Sequence, residues 1–415
     1  MKAEFKITSN DIVLLPFSPV NESDTLEIRV QGYNGGEDGE VSVTFKIDNE
    51  VIETKHITVC KNEYGFALCR VSMAARAGKH IVSVNDVETE LTVLSKSLPK
   101  LDGGFAMIGP PNDRIPVNSL REDLKSFTDD QWKEYIKRLT EIGCECIIFH
   151  NCQEYLIYNN FKPSPGDLTA HYPSKLYPKS DIKADDPIKD VLEVGEEYGI
   201  KVFLSVGNCY GHTACDDDFY EMFELYGKYK SFYGWYLSNE TNMKVFKPQA
   251  WETLKHQAEV IRKISPVKPI LISPFEFPSE ETIEYIKQNN VFDIMMPQDC
   301  VGQGRLNIEE SRKMHKRLKE VCDEVNKHLW ANCEAFNFKD GILVPRYKDG
   351  GMYGEGGFIE QIQAVRPHVE KIMNFAYTGF FAPTGFTPEV GGKAAVKQFE
   401  DYLEYYNKID FSGNV

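Results

Sequence analysis

Long apolar runs, histidine, positive charge and ordered cysteine spacing are all scarce in this sequence, and each scarcity excludes something. No stretch approaches the roughly 18 apolar residues that a membrane-spanning helix needs, so no membrane partner is expected. The 47 basic residues are outnumbered by 63 acidic ones, giving a formal net charge of −16. No basic stripe interleaves with aromatics, and a surface of this sign repels phosphate backbones, so nucleic-acid binding is not expected. The ten cysteines (60, 69, 144, 146, 152, 209, 215, 300, 322 and 333) show neither CxxC nor zinc-ribbon spacing. Several sit inside apolar runs, where cysteine behaves as a small buried hydrophobe. Reduced thiols are expected. The opening MKAEFKITSNDIVLLPF has neither a long apolar region nor a small-residue cleavage site, so the expectation is a cytoplasmic protein. Secretion is the alternative if a leader precedes this chain.

What is present falls into two parts. From residue 1 to 97, short runs such as TLEIRVQGY, VSVTFKID and VIETKHITV alternate apolar and polar residues, with turn signals such as Asn34-Gly35-Gly36 between them. No helical pattern interrupts them, which predicts a small all-β, immunoglobulin-like sandwich domain. Cys60 and Cys69 flank an expected hairpin, with no aromatic landmark to support a disulfide. Packing is the role expected of this domain, and carbohydrate contact is the alternative.

From residue 98 to 415 the pattern changes to apolar strands alternating with amphipathic helices. The strands read as GGFAMIGP, CECIIFHN, IKVFLSVGN, FYGWYLSNE, KPILISPFE, VFDIMMPQD, HLWANCEAF and NFAYTGFFAP. Eight strand–helix units in succession predict a (β/α)8 TIM barrel, in an overall α/β chain. The first strand leads into FAMIGPPND and lacks GxGxxG, so no dinucleotide site is indicated. A catalytic zinc would want His-x-His on the first strand and more histidines on the fifth and sixth; none is there. No cofactor and no metal are expected.

The catalytic face of a barrel lies at the carboxyl ends of its strands. Those ends carry Pro110 and Pro111, His150 and Asn151, Asn208 and Tyr210, Asn239 and Glu240, Glu276, Gln298 and Asp299, Glu334, and Phe380 and Phe381. Carboxylates at four strand ends point to acid–base work on a neutral ligand. Glycoside hydrolysis needs two carboxyls flanking one bond, one to protonate the leaving oxygen and one to attack or to activate water. Glu240 and Glu334, ending the fourth and seventh strands, are the expected catalytic pair. Asn239, His150, Asn151, Asn208, Tyr210, Gln298, Asp299 and Phe381 are expected to bind substrate. For Asp299 a turn-forming role is the alternative, and for His150 a satisfied structural histidine. Glu276 is expected to bind substrate or to stand as an alternative carboxylate. Trp235 and Trp330 read as core. The loops 156–185 and 339–357 lie on the same side; the second is glycine-rich and is expected to act as a lid or subsite wall rather than rigid framework.

Asn-Glu ending the fourth strand and Glu ending the seventh is similar to clan A of the retaining (β/α)8 glycoside hydrolases. More closely, GWYLSNE together with MMPQDCVG resembles a bacterial barrel family of glycosyl-hydrolase type, domain of unknown function 4434, over about residues 100 to 410. The resemblance implies an O-glycosidic bond in an oligosaccharide or polysaccharide as substrate. It implies Glu240 as general acid/base, Asn239 on the sugar 2-hydroxyl and Glu334 as nucleophile. Glu240 would then be kept partly protonated by its neighbour's charge while Glu334 stays ionised. Two departures stand out. Ser238-Asn239 occupies the place where the family would have a proline before the glutamate, and Phe380 and Phe381 stand where the clan often has tryptophan. A catalytically silent carbohydrate-binding protein on the same scaffold is the alternative function.

Overall fold

The computed structural model describes residues 3–108, 118–155, 158–159, 162–163, 168–207, 214–339, 342–346, 352–354 and 356–411. The chain divides into two compact units: residues 1–98 with 261–269 and 410–415, and residues 99–260 with 270–409.

The first unit holds two sheets. One sets Thr25–Asn34 against Phe5–Lys6, Ile12–Leu15 and Tyr64–Ser72; the other runs Val20–Asn21, Val87–Leu94, Gly78–Val84, Gly39–Ile47, Glu50–Val59. Alternation along each strand sends one set of side chains to a shared core. Leu26, Ile28, Val30 and Cys69 from the first sheet meet Val43, Phe45, Val82 and Val93 from the second. Cys60 and Cys69 do not flank a hairpin: Glu50–Val59 pairs with Gly39–Ile47 in one sheet and Tyr64–Ser72 with Thr25–Asn34 in the other. The turn between them therefore crosses from sheet to sheet. Both cysteines are free thiols, Cys60 exposed and Cys69 buried.

The second unit is a parallel barrel of eight strands. In chain order these are Gly103–Met107, Cys146–His150, Lys201–Val206, Phe232–Leu237, Ile270–Ile272, Ile294–Met295, a seventh made of His328–Leu329 and Ala331–Glu334, and Ile372–Phe375. The two pieces of the seventh strand are the two ends of the sheet. His328–Leu329 pairs with the sixth strand and Ala331–Glu334 with the eighth. Between them, the Trp330 amide donates to the Met295 carbonyl at 2.9 Å and the Ala331 amide to the Lys371 carbonyl at 2.9 Å. The ring closes at this interrupted strand.

Helices return the chain between strands, and their ends follow local chemistry. The helix Asp129–Leu139 is capped by Thr128, whose side chain accepts the Gln131 amide while the Gln131 side chain accepts the Thr128 amide, a reciprocal capping box. The chain turns out of it at Gly143, φ +77°, where a Cβ would lie 2.4 Å from the Tyr406 ring. The helix Pro187–Tyr198 has Asp186 as N-cap, proline in its first turn and Gly199 at φ +73° after it. All four tryptophans are buried, Trp235 and Trp330 among them. At about 1.5–3 kcal/mol for each large apolar side chain removed from water, these faces supply the driving force for closure.

At the amino-terminal end of the strands lies a buried charge cluster. Asp102 accepts from Lys100 Nζ at 2.9 Å, Arg366 Nη1 at 3.0 Å and the Ile372 amide at 2.8 Å. Ion pairing of this kind ties the first strand to the eighth at the end opposite Glu334.

The eighth strand stops at Phe375, five residues before the expected strand end at Phe380 and Phe381. The Tyr377 amide still reaches the Phe105 carbonyl at 2.8 Å, but Phe380 and Phe381 then fold back onto the Tyr377 carbonyl in a turn. In the loop 339–357, expected to be too flexible for framework, the described residues include a hairpin of Phe336–Lys339 with Ile342–Pro345.

Candidate active site at the carboxyl ends of the strands

Below the mouth of the barrel, aromatic rings form a floor. Phe105 packs against His150 (ring centroids 5.7 Å), Tyr236 (5.3 Å) and Phe375 (5.3 Å). His150 is 2 % exposed and burial holds its imidazole down to about 3, so it is neutral at ordinary pH. Asn151 beside it has φ +56° and a buried Oδ1 without a hydrogen-bond partner. Asn208, Tyr210, Pro110 and Pro111 lie outside the described residues. Phe381 does not reach the mouth; it is fully buried against Phe358, Tyr377 and Tyr402. The correction follows from the early end of the strand, which leaves half-buried Phe375 as the aromatic at the eighth strand end.

Glu240 follows the fourth strand, after Ser238, whose hydroxyl donates to the Val206 carbonyl at 3.0 Å and fixes the chain there. The residue retains exposed surface. Protein packed around the remaining sides still pushes the carboxyl up to about 7, against a hydrogen bond from Gln298 and the charge of Arg305, which both pull it down. Asn239, half-buried, has an Oδ1 with no partner. Gln298 also donates weakly to the Ser273 carbonyl at 3.4 Å. Glu276, half-buried and at φ +69°, is held by Arg305 Nη1 at 3.0 Å, while the Arg305 guanidinium lies 5.2 Å from the centroid of the Phe275 ring.

Glu334 ends the seventh strand and is 1 % exposed. Its Oε2 accepts the Gln303 amide at 2.7 Å, and its Oε1 is buried with no hydrogen-bond partner. Burial raises this carboxyl well above the usual range; the charge of Asp299 adds to the rise, and so does that of Glu240, while the Gln303 amide and Arg346 oppose it. The expectation of an ionised Glu334 beside a Glu240 protonated by its neighbour's charge is corrected here: burial, not Glu334, raises Glu240, and Glu334 is itself raised well above the usual range because it is desolvated next to Asp299. Gly302 allows the close approach of Gln303: a Cβ there would lie 2.2 Å from the Phe336 carbonyl oxygen and 2.8 Å from Glu334 Cβ.

Asp299 is fully buried beneath Glu334. Its Oδ1 accepts the amides of Glu334 (3.1 Å) and Val301 (3.3 Å), and its Oδ2 accepts from Gln361 Nε2. Two functional groups here had not been expected from sequence. Gln361, on the helix Phe358–Val365, bonds Asp299 and the Glu334 carbonyl together. Arg346, delivered by the hairpin that follows the seventh strand, is 3 % exposed and places its charge against both Asp299 and Glu334. No group of three or more histidines, cysteines or carboxylates with metal-binding geometry occurs among the described residues.

Comparison with known proteins follows this geometry. A structure described as a putative alpha-L-fucosidase from Bacteroides thetaiotaomicron VPI-5482 superposes with a TM-score of 0.54 at 18 % identity, over 76 % of this chain and 95 % of that one. A GH2 beta-galacturonidase from Eisenbergiella tayi gives 0.43 at 12 % identity, over 92 % and 69 %. Bacteroides uniformis beta-glucuronidase 2 gives 0.44 at 13 %, over 96 % of this chain and half of that one. At 18 % identity the likeness to the first of these structures is one of fold. No curated protein sequence matches the chain. The family model for DUF4434, a domain of unknown function, matches residues 112–387, most of the sequence, and the chain belongs to that family.

Proposed function

We propose that this protein is a glycoside hydrolase that cleaves an O-glycosidic bond in an oligosaccharide or polysaccharide, with Glu240 as general acid/base and Glu334 as nucleophile. One observation carries the reading. Two carboxyls follow or end the fourth and seventh strands near enough for the charge of Glu240 to raise Glu334; Glu240 is exposed, and Glu334 is buried with an unpartnered Oε1. Titration near neutrality suits Glu240 to giving up a proton and taking it back.

In this scheme Glu334 Oε1 attacks the anomeric carbon as Glu240 transfers its proton to the departing oxygen. The C–O bond breaks, and a glycosyl ester forms on Glu334. Water then attacks the same carbon, losing its proton to the Glu240 carboxylate, and Glu334 leaves. The anomeric configuration is retained. Asn239, with its unpartnered Oδ1, is placed to accept a hydrogen bond from a sugar hydroxyl, and Phe375 offers an apolar ring at the eighth strand end.

The test is a screen of wild type, Glu240→Gln and Glu334→Gln against aryl glycosides and plant and microbial polysaccharides, following reducing-sugar release. Each variant should lose about 100-fold or more in turnover while remaining folded. Full activity in Glu334→Gln would remove it as nucleophile. Saturable sugar binding with no release by wild type would favour a carbohydrate-binding protein.

A further inference from the structure

The sequence presents Asp299 as a sugar-binding strand-end residue, yet its oxygens face inward, toward the backbone of Glu334 and toward Gln361. Arg346 is equally withdrawn. Its Nη2 donates to the Gly356 carbonyl, and its buried Nε and Nη1 have no hydrogen-bond partner, so its guanidinium acts here chiefly through charge. Its amide donates to the Ala335 carbonyl at 3.3 Å, next in sequence to Glu334; a buried guanidinium is costly unless anions compensate it, and buried carboxyls are costly without a cation. The groups answer one another.

We infer that Asp299 and Arg346 are positioning residues for Glu334: Asp299 fixes the backbone from which the glutamate projects, and Arg346 supplies the buried positive charge that lets it hold a negative one. Calling Glu334 a nucleophile rests on the function proposed above; the charge coupling itself does not. The assignment of roles within the cluster follows from the donors. Asp299 receives two backbone amides and the Gln361 amide, and each such bond favours a carboxylate. Glu334 receives only the Gln303 amide. Asp299 thus keeps its charge the more readily, and Glu334 depends on Arg346 for its own. The titratable groups facing Glu334 are Asp299 from the loop after the sixth strand, Arg346 from the hairpin, and Glu240 from across the mouth; the Cys300 and Cys333 thiols lie beside them, raised by burial.

The experiment follows the Glu334 carboxyl directly, by carbon-13 NMR titration of full-length protein labelled at glutamate carboxyls, with Glu334→Gln identifying the resonance. In Arg346→Met the midpoint should move to higher pH, and Arg346→Lys, which keeps the charge, should restore it. In Asp299→Asn the midpoint should move the other way, since a neighbouring negative charge is gone. An unchanged midpoint in folded Arg346→Met would overturn the inference. Should that variant not fold, an unchanged or raised midpoint in Asp299→Asn would do the same. Where a hydrolysable glycoside is in hand, the acid limb of kcat/KM should move with the NMR midpoint. Rates below it should fall about tenfold for each unit moved. The NMR readout needs no substrate, so a failed glycosidase screen leaves it intact.

Discussion

Glu334→Gln should make the protein more stable, and increasingly so as pH rises. The glutamate is 1 % exposed, has one oxygen without a partner and sits beside Asp299, so its carboxyl is raised in the folded state. An acid whose folded pKa lies above its unfolded value contributes stability that is fully present below the unfolded pKa, about 4.3 for glutamate, and is lost as pH rises toward the folded one. Glutamine has nearly the same shape, still accepts the Gln303 amide, and does not titrate. The gap between variant and wild type should therefore open above about pH 4.3 at up to about 1.4 kcal/mol per pH unit. It should level off once Glu334 ionises in the native protein. With roughly 2 °C per kcal/mol for a large domain, that is about 3 °C per pH unit. Thermal melts of both proteins at pH 5, 6, 7 and 8 read it out. A constant offset across that range, or a wild type that gains on the variant as pH rises, would refute the reasoning, because Glu334 would then not be a desolvated carboxyl.

Other outcomes follow from the same geometry. If hydrolysis needs Glu240 protonated, kcat/KM should decline as pH rises through about 7, and Glu240→Gln should show no such limb on substrates with good leaving groups. Asp102→Ala removes the acceptor of Lys100, Arg366 and the Ile372 amide, leaving buried cations uncompensated; it should cost about 3–5 kcal/mol in denaturant melts without altering the mouth. Burial opposes but the surrounding cations dominate in depressing the Asp102 pKa, so the wild-type advantage over that variant should be present above about pH 4 and fade as pH falls further. Gly302→Ala forces a Cβ against the Phe336 carbonyl and Glu334; activity should fall well before the melting temperature does, seen by assaying both on one preparation.

Much of the scaffold was legible because strand and helix periodicities differ and the chain switches between them eight times. The ends of the fourth and seventh strands were legible for a related reason: a polar residue closing an apolar run must leave the core, and in a barrel it leaves toward the mouth. That logic fails where the run does not close. NFAYTGFFAP is apolar or small nearly throughout, so its pattern cannot mark where ladder hydrogen bonds stop, and Phe375 was passed over for Phe380 and Phe381. Arg346 was invisible for another reason. One of three cations in a glycine-rich loop, with Lys339 and Lys348, it reads as solvated, and only the fold of the hairpin makes it a buried charge. Asp299 was placed at the right strand end, with the turn reading visible in its bond to the Val301 amide, but its hold on Glu334 depends on a pairing between strands that no local pattern carries.

The interrupted seventh strand gives the barrel a seam. Here the ladder pairs of one strand divide between two neighbours, His328–Leu329 with the sixth and Ala331–Glu334 with the eighth, and Trp330 lies between them; single bonds cross over, the Asn332 amide reaching the Pro297 carbonyl at 3.1 Å and the Glu370 amide the Leu329 carbonyl at 2.9 Å. Glu334 rides on the half that leans toward the eighth strand, whereas Glu240 is carried by the unbroken fourth. The spacing between the two carboxyls is thus set across this joint of the wall. The bonds around Asp299 act as a clasp over the same joint: its amide reaches the Asn332 carbonyl and its carboxylate accepts the Glu334 amide, tying the sixth-strand side to the residue that closes the ring.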